Sequence, residues 1–376
     1  MKYLLALAIS VAASSPALAA GMVDCPMRDQ PYSIDSPLMD VMLKPEARAI
    51  VDKALPDLVH NLPPMMTSTV APAFSAIMSL RTISKFAQTP ESTLAPINTA
   101  LAALPVTAAD KVARCGRYDT DKPIFAASEG KMRVLLFEKM TGFRDGPSVI
   151  AAKAMITDMA ARNGWALAVT DRGGAINPAT LKKFDVVIWN NISGDVLTLS
   201  QRRAFKSWIE QGGGFVGMHG TAGDPTYFWD WYPDTLIGGR FIGHPMAPQF
   251  QDAQVRIEQT KSGIGNSLSP GWMMKDEWYS FKASPRLTGA NVIATLDEAS
   301  YSPVGMFKQD LRMGDHPIAW SHCIGNGRSF YSAIGHRPEG YSEDHHVRLV
   351  EQAIGWAAGK GQTLCKAGKE VARGPK

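Results

Sequence analysis

Cysteine is scarce: four residues in 376, none in a Cys-x-x-Cys or other metal-ligand spacing. They are therefore expected to be structural. The chain has no His-Glu-x-x-His, no paired-histidine helix and no Gly-x-x-x-x-Gly-Lys-Ser/Thr, so neither a helical zinc site nor a phosphate-cradling loop is written locally. Net charge is only +4 and no basic run occurs, which leaves no footprint for nucleic acid. The apolar run from Tyr3 to Ala13 is about half of the roughly 20 residues a membrane span requires. Internal repeats are absent, and low complexity is confined to the first residues and the tail KAGKEVARGPK.

What the chain does have begins with MKYLLALAISVAASSPALAAG. A lone Lys2, an apolar stretch and the small-residue pattern Ala17-Leu18-Ala19 predict a signal peptide over 1–19, cleaved near Ala19, and a periplasmic or secreted protein. Met22, Val23 and Asp24 are poor neighbours for a lipoprotein anchor at Cys25. In such a compartment Cys25, Cys115, Cys323 and Cys365 are expected to form disulfides. Three pairings are possible, and sequence order favours Cys25 with Cys115 and Cys323 with Cys365. With 45% hydrophobic residues the chain can bury a large core, and its length suggests two domains.

Residues 20–125 read as a helical region and linker. Ile50, Val51, Leu55, Leu58 and Val59 recur at helical spacing, and Pro45 sits where a first turn tolerates it. No chemistry is apparent there, and His60 reads as a surface or capping residue. From 126 to 360 short apolar runs alternate with amphipathic helices. RVLLF (133–137), WALAVT (165–170), DVVIWN (185–190) and GFVGM (214–218) read as strands, with helices near 147–162 and 199–211, the second opened by the capping box Thr198-Leu199-Ser200-Gln201. This rhythm predicts an α/β fold with a mostly parallel, doubly wound sheet, whose site lies at the carboxyl ends of the strands. Gly325-Asn326-Gly327 predicts a hairpin, a helix follows from Ser342, and residues 361–376 form a basic tail.

Seven of the eight histidines fall between 219 and 346. His219, framed by Gly217 and Gly220 in GGGFVGMHG, is expected at a strand's carboxyl end facing a cleft, and His336 repeats that situation. His244 precedes Pro245 in an extended turn. In KDEWYSF, alternation puts Glu277 and Tyr279 on one face and Asp276 and Trp278 on the other, so one carboxylate can face the histidines as an acid or base. The segment DPTYFWDWYPD offers Asp224 and Trp229 to a sugar ring. His316 and His322 read first as structural, and His345 and His346 as solvated. His322 is kept with Arg144, Asp145, Asp224, Trp229 and Trp278 as candidate substrate contacts, while His219, Glu277, His336 and His244 are the candidate catalytic residues. Imidazoles and a carboxylate drawn from separate loops can bind Zn²⁺ or Mn²⁺, although spacing alone does not establish a metal.

GGGFVGMHG, LIGGRFIGHP, DEWYSF and HPIAWSHCIGNGRSFYSAIGH, in that order, resemble the trehalose-utilisation (ThuA-like) family over about 131–358. The resemblance implies a fold like class I glutamine amidotransferases, of flavodoxin-like type. In those enzymes the residue at the place of His219 is a nucleophilic cysteine, so thioester chemistry is not expected. The family's phenylalanine-arginine-histidine run reads here as Phe143-Arg144-Asp145, with Asp145 in the histidine's place. The resemblance further implies a small carbohydrate substrate, and a reaction in which a 3-keto glycoside loses its C1 substituent by elimination or hydrolysis. His219 or His336 would be the base, His244 or a metal the stabiliser and Glu277 the acid. The competing expectations are a non-catalytic carbohydrate-binding protein and an amidase or peptidase.

Overall fold

A computed structural model describes residues 23–56, 60–125, 129–359 and 365. The expected signal peptide and its cleavage point, and the basic tail apart from Cys365, lie outside the described residues. None of the described helices is long and apolar enough to cross a membrane.

β1 (Arg133–Phe137), β2 (Ala166–Thr170), β3 (Val186–Asn190) and β4 (Gly214–Met218) form where the sequence predicts strands. Further strands are β5 (Phe241–Gly243), β6 (Phe250–Ile257), β7 (Gly271–Glu277), β8 (Ser280–Phe281), β9 (Asn291–Leu296), β10 (Pro317–Ile324) and β11 (Gly327–Ser332). Nine of them make one sheet in the order β2-β1-β3-β4-β11-β10-β9-β6-β7, and β5 pairs with β8. From β2 to β11 every pairing is parallel, the doubly wound order of flavodoxin-like folds. The remaining neighbours, β11–β10, β10–β9, β9–β6 and β6–β7, are antiparallel. This extension is short of crossover helices because each strand returns through a turn or loop.

Burial follows from the sequence. β3 and β4 are buried at every residue, as strands covered on both faces must be. The helix Gly146–Asn163 buries Ala152, Ile156 and Met159 and ends on left-handed Gly164, where glycine pays no steric cost. Thr198 and Gln201 form the expected capping box on the helix Leu199–Glu210. The closing helix Asp344–Ala357 buries Leu349, Val350 and Ile354.

The described residues between 38 and 115 form helices around a core of their own, built from Leu38, Val41, Leu80, Ile83, Ile97 and Leu101 among others, while Leu58 and Val59 of the expected helix lie outside the described residues. Pro45 starts one helix, Ser79 caps another and Thr107 with Asp110 boxes a third. The N-terminal region docks on the sheet domain through several contacts, among them Ala73 N–H donating to Thr141 O at 3.0 Å, a 2.7 Å hydroxyl bond shared by Thr82 and Thr226, and Ser200 N–H donating to the Asp24 carboxylate at 2.8 Å.

Both expected disulfides are present, Cys25–Cys115 and Cys323–Cys365. The first closes 90 residues of chain, so it removes much of the unfolded region's freedom. Replacing Cys25 and Cys115 by alanine should lower the unfolding free energy by about 2–4 kcal/mol. The check is a urea transition for the double variant beside the parent protein, and an unchanged midpoint would refute it.

Candidate active site

The turn after β4 carries His219 with φ +33°, a conformation that costs a non-glycine residue about 1–3 kcal/mol and is held at functional positions. Its neighbour Gly220 approaches Asn191 so closely that an added Cβ would lie 3.2 Å from the Asn191 carbonyl oxygen. Asn191, itself at φ +53°, accepts Gly220 N–H on Oδ1 at 3.2 Å and donates to Asn190 and Tyr341. The strained turn is thus fixed from both sides.

His219 is 3% exposed. Its Nδ1 lies 2.7 Å from Ala333 O, a backbone acceptor, so Nδ1 carries the proton and Nε2 is the working nitrogen. Glu277 arrives from β7, which runs in from the antiparallel half of the sheet, and His336 from the loop after β11. The three converge: Glu277 Oε2 is 3.4 Å from His219 Nε2 and 3.0 Å from His336 Nδ1, and the two nitrogens are 3.3 Å apart. These are the described His, Cys, Asp and Glu side chains grouped closely enough to hold a metal ion. His244 reaches the edge of the cluster, with Nδ1 3.3 Å from Glu277 Oε1 and 2.9 Å from Pro245 O. Gln249 donates its amide to Glu277 Oε1.

Asp276, on the opposite strand face as alternation predicts, ties the site together from behind. Its carboxylate accepts the backbone N–H of Glu277, Gly335, His336 and Arg337 at 2.7 to 3.1 Å. Strand and loop are therefore clamped through one side chain.

Charge follows the geometry. Burial works to raise the Glu277 carboxyl, but the imidazoles of His219, His336 and His244 gathered around it outweigh burial and hold the group well below the carboxylate range. Burial likewise opposes the His336 imidazolium, and the Glu277 carboxylate overcomes it and raises the imidazole. Glu277 is thus an anion at neutral pH. The role of proton donor expected for it does not suit that environment.

Of the other expected residues, Asp145 stands beside the cluster, its Oδ2 3.8 Å from His336 Nε2, and Ser148 Oγ bridges Asp145 to the His336 carbonyl. Arg144 is exposed next to it. Asp224 is buried and turned to structure: it accepts Ser193 Oγ at 2.6 Å and Gly194 N–H at 2.7 Å. Ser193 in turn holds the loop 141–143, its carbonyl accepting Thr141 and Gly142 N–H and its hydroxyl accepting Phe143 N–H. Trp229 lies in a separate cleft with Asp195, Asp224, Tyr227 and Tyr232, stacked on Trp231 and under the Arg202 guanidinium.

Trp278 and His322 are not brought to the cluster. Trp278 is fully buried on the Asp276 face and donates to Gln251 O, and His322 is bonded to Thr235 O along β10. His346, expected in solvent, is instead fully buried between Gly340 O and Ser332 Oγ, because the first turn of its helix presses that side onto β11. Burial pushes its imidazole down to about 4, so it is neutral packing. His345 does face solvent in part, stacked on Trp272.

Sequence reasoning missed four contributors. Tyr279 lays its ring 4.2 Å from that of His219, and the alternation that placed it beside Glu277 was the available signal. Asn191 follows a buried strand at its carboxyl end, the general location of such groups. Phe143 stands in the Phe143-Arg144-Asp145 run, which gave it no role of its own, and Gln249 carried no local signal.

The family model of ThuA, described as trehalose utilisation, matches residues 133–357. A ThuA-like protein from Bacteroides uniformis has a similar structure, with 24% identity, 64% of this chain and 97% of that chain covered, and a TM-score of 0.52. A second ThuA-like protein, from Parabacteroides merdae, is 15% identical over 64% of this chain and 93% of its own, at a TM-score of 0.44. No curated protein matches the chain. The motifs around His219, His244, Glu277 and His336 all fall inside the matched span, and the chain belongs to the trehalose-utilisation (ThuA) family.

Proposed function

We propose that this protein is a carbohydrate-processing enzyme that cleaves a 3-keto glycoside by proton transfer at the His219, Glu277, His336 and His244 cluster. The observation that carries the reading is the convergence of these side chains at the strands' carboxyl ends, in a chain of a family described by trehalose utilisation. A ketone at C3 acidifies the C2 proton, so a base removes it and the C1 substituent leaves without an oxocarbenium ion. Anionic Glu277 and the Nε2 side of His219 suit the base side of that chemistry, and His244, half-buried at the edge, suits proton delivery to the leaving oxygen. A signal peptide and disulfides would place the reaction outside the cytoplasm.

Acyl transfer is a poor fit. The elbow holds a histidine, and the N–H of the following residue, which in such folds helps bind the oxyanion, is bonded in Gly220 to Asn191 Oδ1.

The aromatic cleft around Trp229, Tyr227 and Tyr232 favours a second reading, a protein that only holds sugar. Paired glycosides and their 3-keto derivatives, incubated with the protein and with His219→Ala, separate the two by mass spectrometry. Cleavage of keto forms alone, lost in the variant, supports the enzyme. Tight binding of the unmodified glycoside with no product, indifferent to His219→Ala, supports the binder.

A further inference from the structure

The geometry points to a divalent transition-metal site formed by His219 Nε2, Glu277 Oε2 and His336 Nδ1. The inference concerns the cluster of the proposed function and rests on that cluster being the working centre.

Three donors bound to one ion about 2.0–2.2 Å away lie roughly 3.0–3.4 Å from one another, the smaller value for octahedral and the larger for tetrahedral angles. The observed edges are 3.0, 3.3 and 3.4 Å. By these distances an ion about 2.1 Å from all three donors would sit about 1 Å above their plane.

Orientation agrees with distance. With Nδ1–H given to Ala333 O, His219 aims a lone pair at the centre. If protons alone held the cluster, His219 would need a second proton on Nε2 to donate to Glu277, making a buried imidazolium. A metal cation removes that need, since both imidazoles then present lone pairs to it. Two of the ligands also have the hydrogen-bonded outer partner that metal ligands keep, Ala333 O for His219 and Gln249 for the second oxygen of Glu277, and the Asp145 carboxylate faces the far nitrogen of His336 at an ion-pair distance of 3.8 Å. Asp276 fixes the backbones of Glu277 and His336 together, so the site is assembled in advance.

Two imidazoles and one carboxylate on one side of an ion suit Zn²⁺ or Mn²⁺ and leave positions open, the arrangement of a catalytic site. With an ion in place His219 Nε2 and Glu277 Oε2 would hold it rather than act as bases; the ion would stabilise the charge developing on a sugar oxygen at its open side, and His244 would be left to move the proton. Asp145, standing where relatives by resemblance carry histidine, becomes a positioning residue for His336.

The test uses the full chain stripped with chelator and titrated calorimetrically with Zn²⁺ alone and Mn²⁺ alone, with no sugar present. About one ion per chain is expected, together with a rise in melting temperature. Both should be lost in Glu277→Gln and His336→Ala, and the affinity should fall about 10- to 100-fold in Asp145→Asn. His345→Ala, away from the cluster, should change neither. No binding of either ion to the stripped protein, or binding unchanged in Glu277→Gln, overturns the proposal, and Asp145→Asn keeps the test open should a ligand variant misfold. Metal bound without sugar cleavage would sink the proposed function and leave the site standing, and cleavage at full rate by stripped protein would do the reverse.

Discussion

Glu277→Gln should reduce turnover of a 3-keto glycoside by about a thousandfold or more, within the range that loss of a positioned proton-transfer group produces. The carboxylate is 1% exposed and is the hub on which His219, His336 and His244 converge. Glutamine has nearly the same volume, but it removes the negative charge that Glu277 brings to the three imidazoles and offers them a neutral amide. Folding should survive, because the amide can turn its oxygen towards Gln249 and the backbone stays clamped by Asp276. Product formation measured by mass spectrometry, beside far-ultraviolet circular dichroism, decides the matter. Turnover within tenfold of the parent protein would remove Glu277 from the mechanism.

A second large effect is expected at Asp224, in stability. Burial pushes this carboxyl up to about 7, against hydrogen bonds from Ser193 and Gly194 that favour the anion. In the unfolded chain it titrates near the ordinary 3.8. Between about pH 4 and pH 7 the folded protein therefore keeps a proton that the unfolded chain has released, so stability must fall as pH rises through that window. The interval corresponds to about 4 kcal/mol. Asparagine cannot ionise, and it can accept from Gly194 while donating to Ser193. The urea midpoint of the parent protein should be lower at pH 8 than at pH 5, with the gap much reduced in Asp224→Asn. The same pH dependence in both proteins would show that Asp224 is ionised in the fold throughout. Because Asp224 holds Ser193, and Ser193 holds the loop leading to Asp145, its protonation also bears on the site wall.

Much of this architecture is legible in the residues. Buried strands such as RVLLF and GFVGM have the length and branching that parallel sheets demand, the Asn-Gly turn marks the hairpin, and the capping box at Thr198 marks its helix. His219, Glu277 and His336 stand out because their neighbours are strand ends and glycines. The rest depends on information that no local pattern holds. Alternation separates Glu277 from Trp278 but does not say which face meets the histidines, so an aromatic residue suited to sugar proves to be core. His345 and His346 are adjacent on one helix, and only packing against β11 makes one of them buried. Asn191 and Gln249 act through partners 29 and 28 residues away, separations that carry no periodic trace.

The helical region reaches further into the site than its lack of chemistry suggests. Phe74 packs against Phe143 at 5.0 Å, and Phe143 stacks over His336. Asp24 meanwhile holds the first turn of a helix 176 residues later. During synthesis this region emerges first and can close its own core early, yet Thr141, Ser200 and Thr226, the groups it must grip, leave the ribosome only afterwards. The segment made first thus waits for residues up to Thr226 before it can take its seat, and the wall beside His336 is completed only once that loop has arrived.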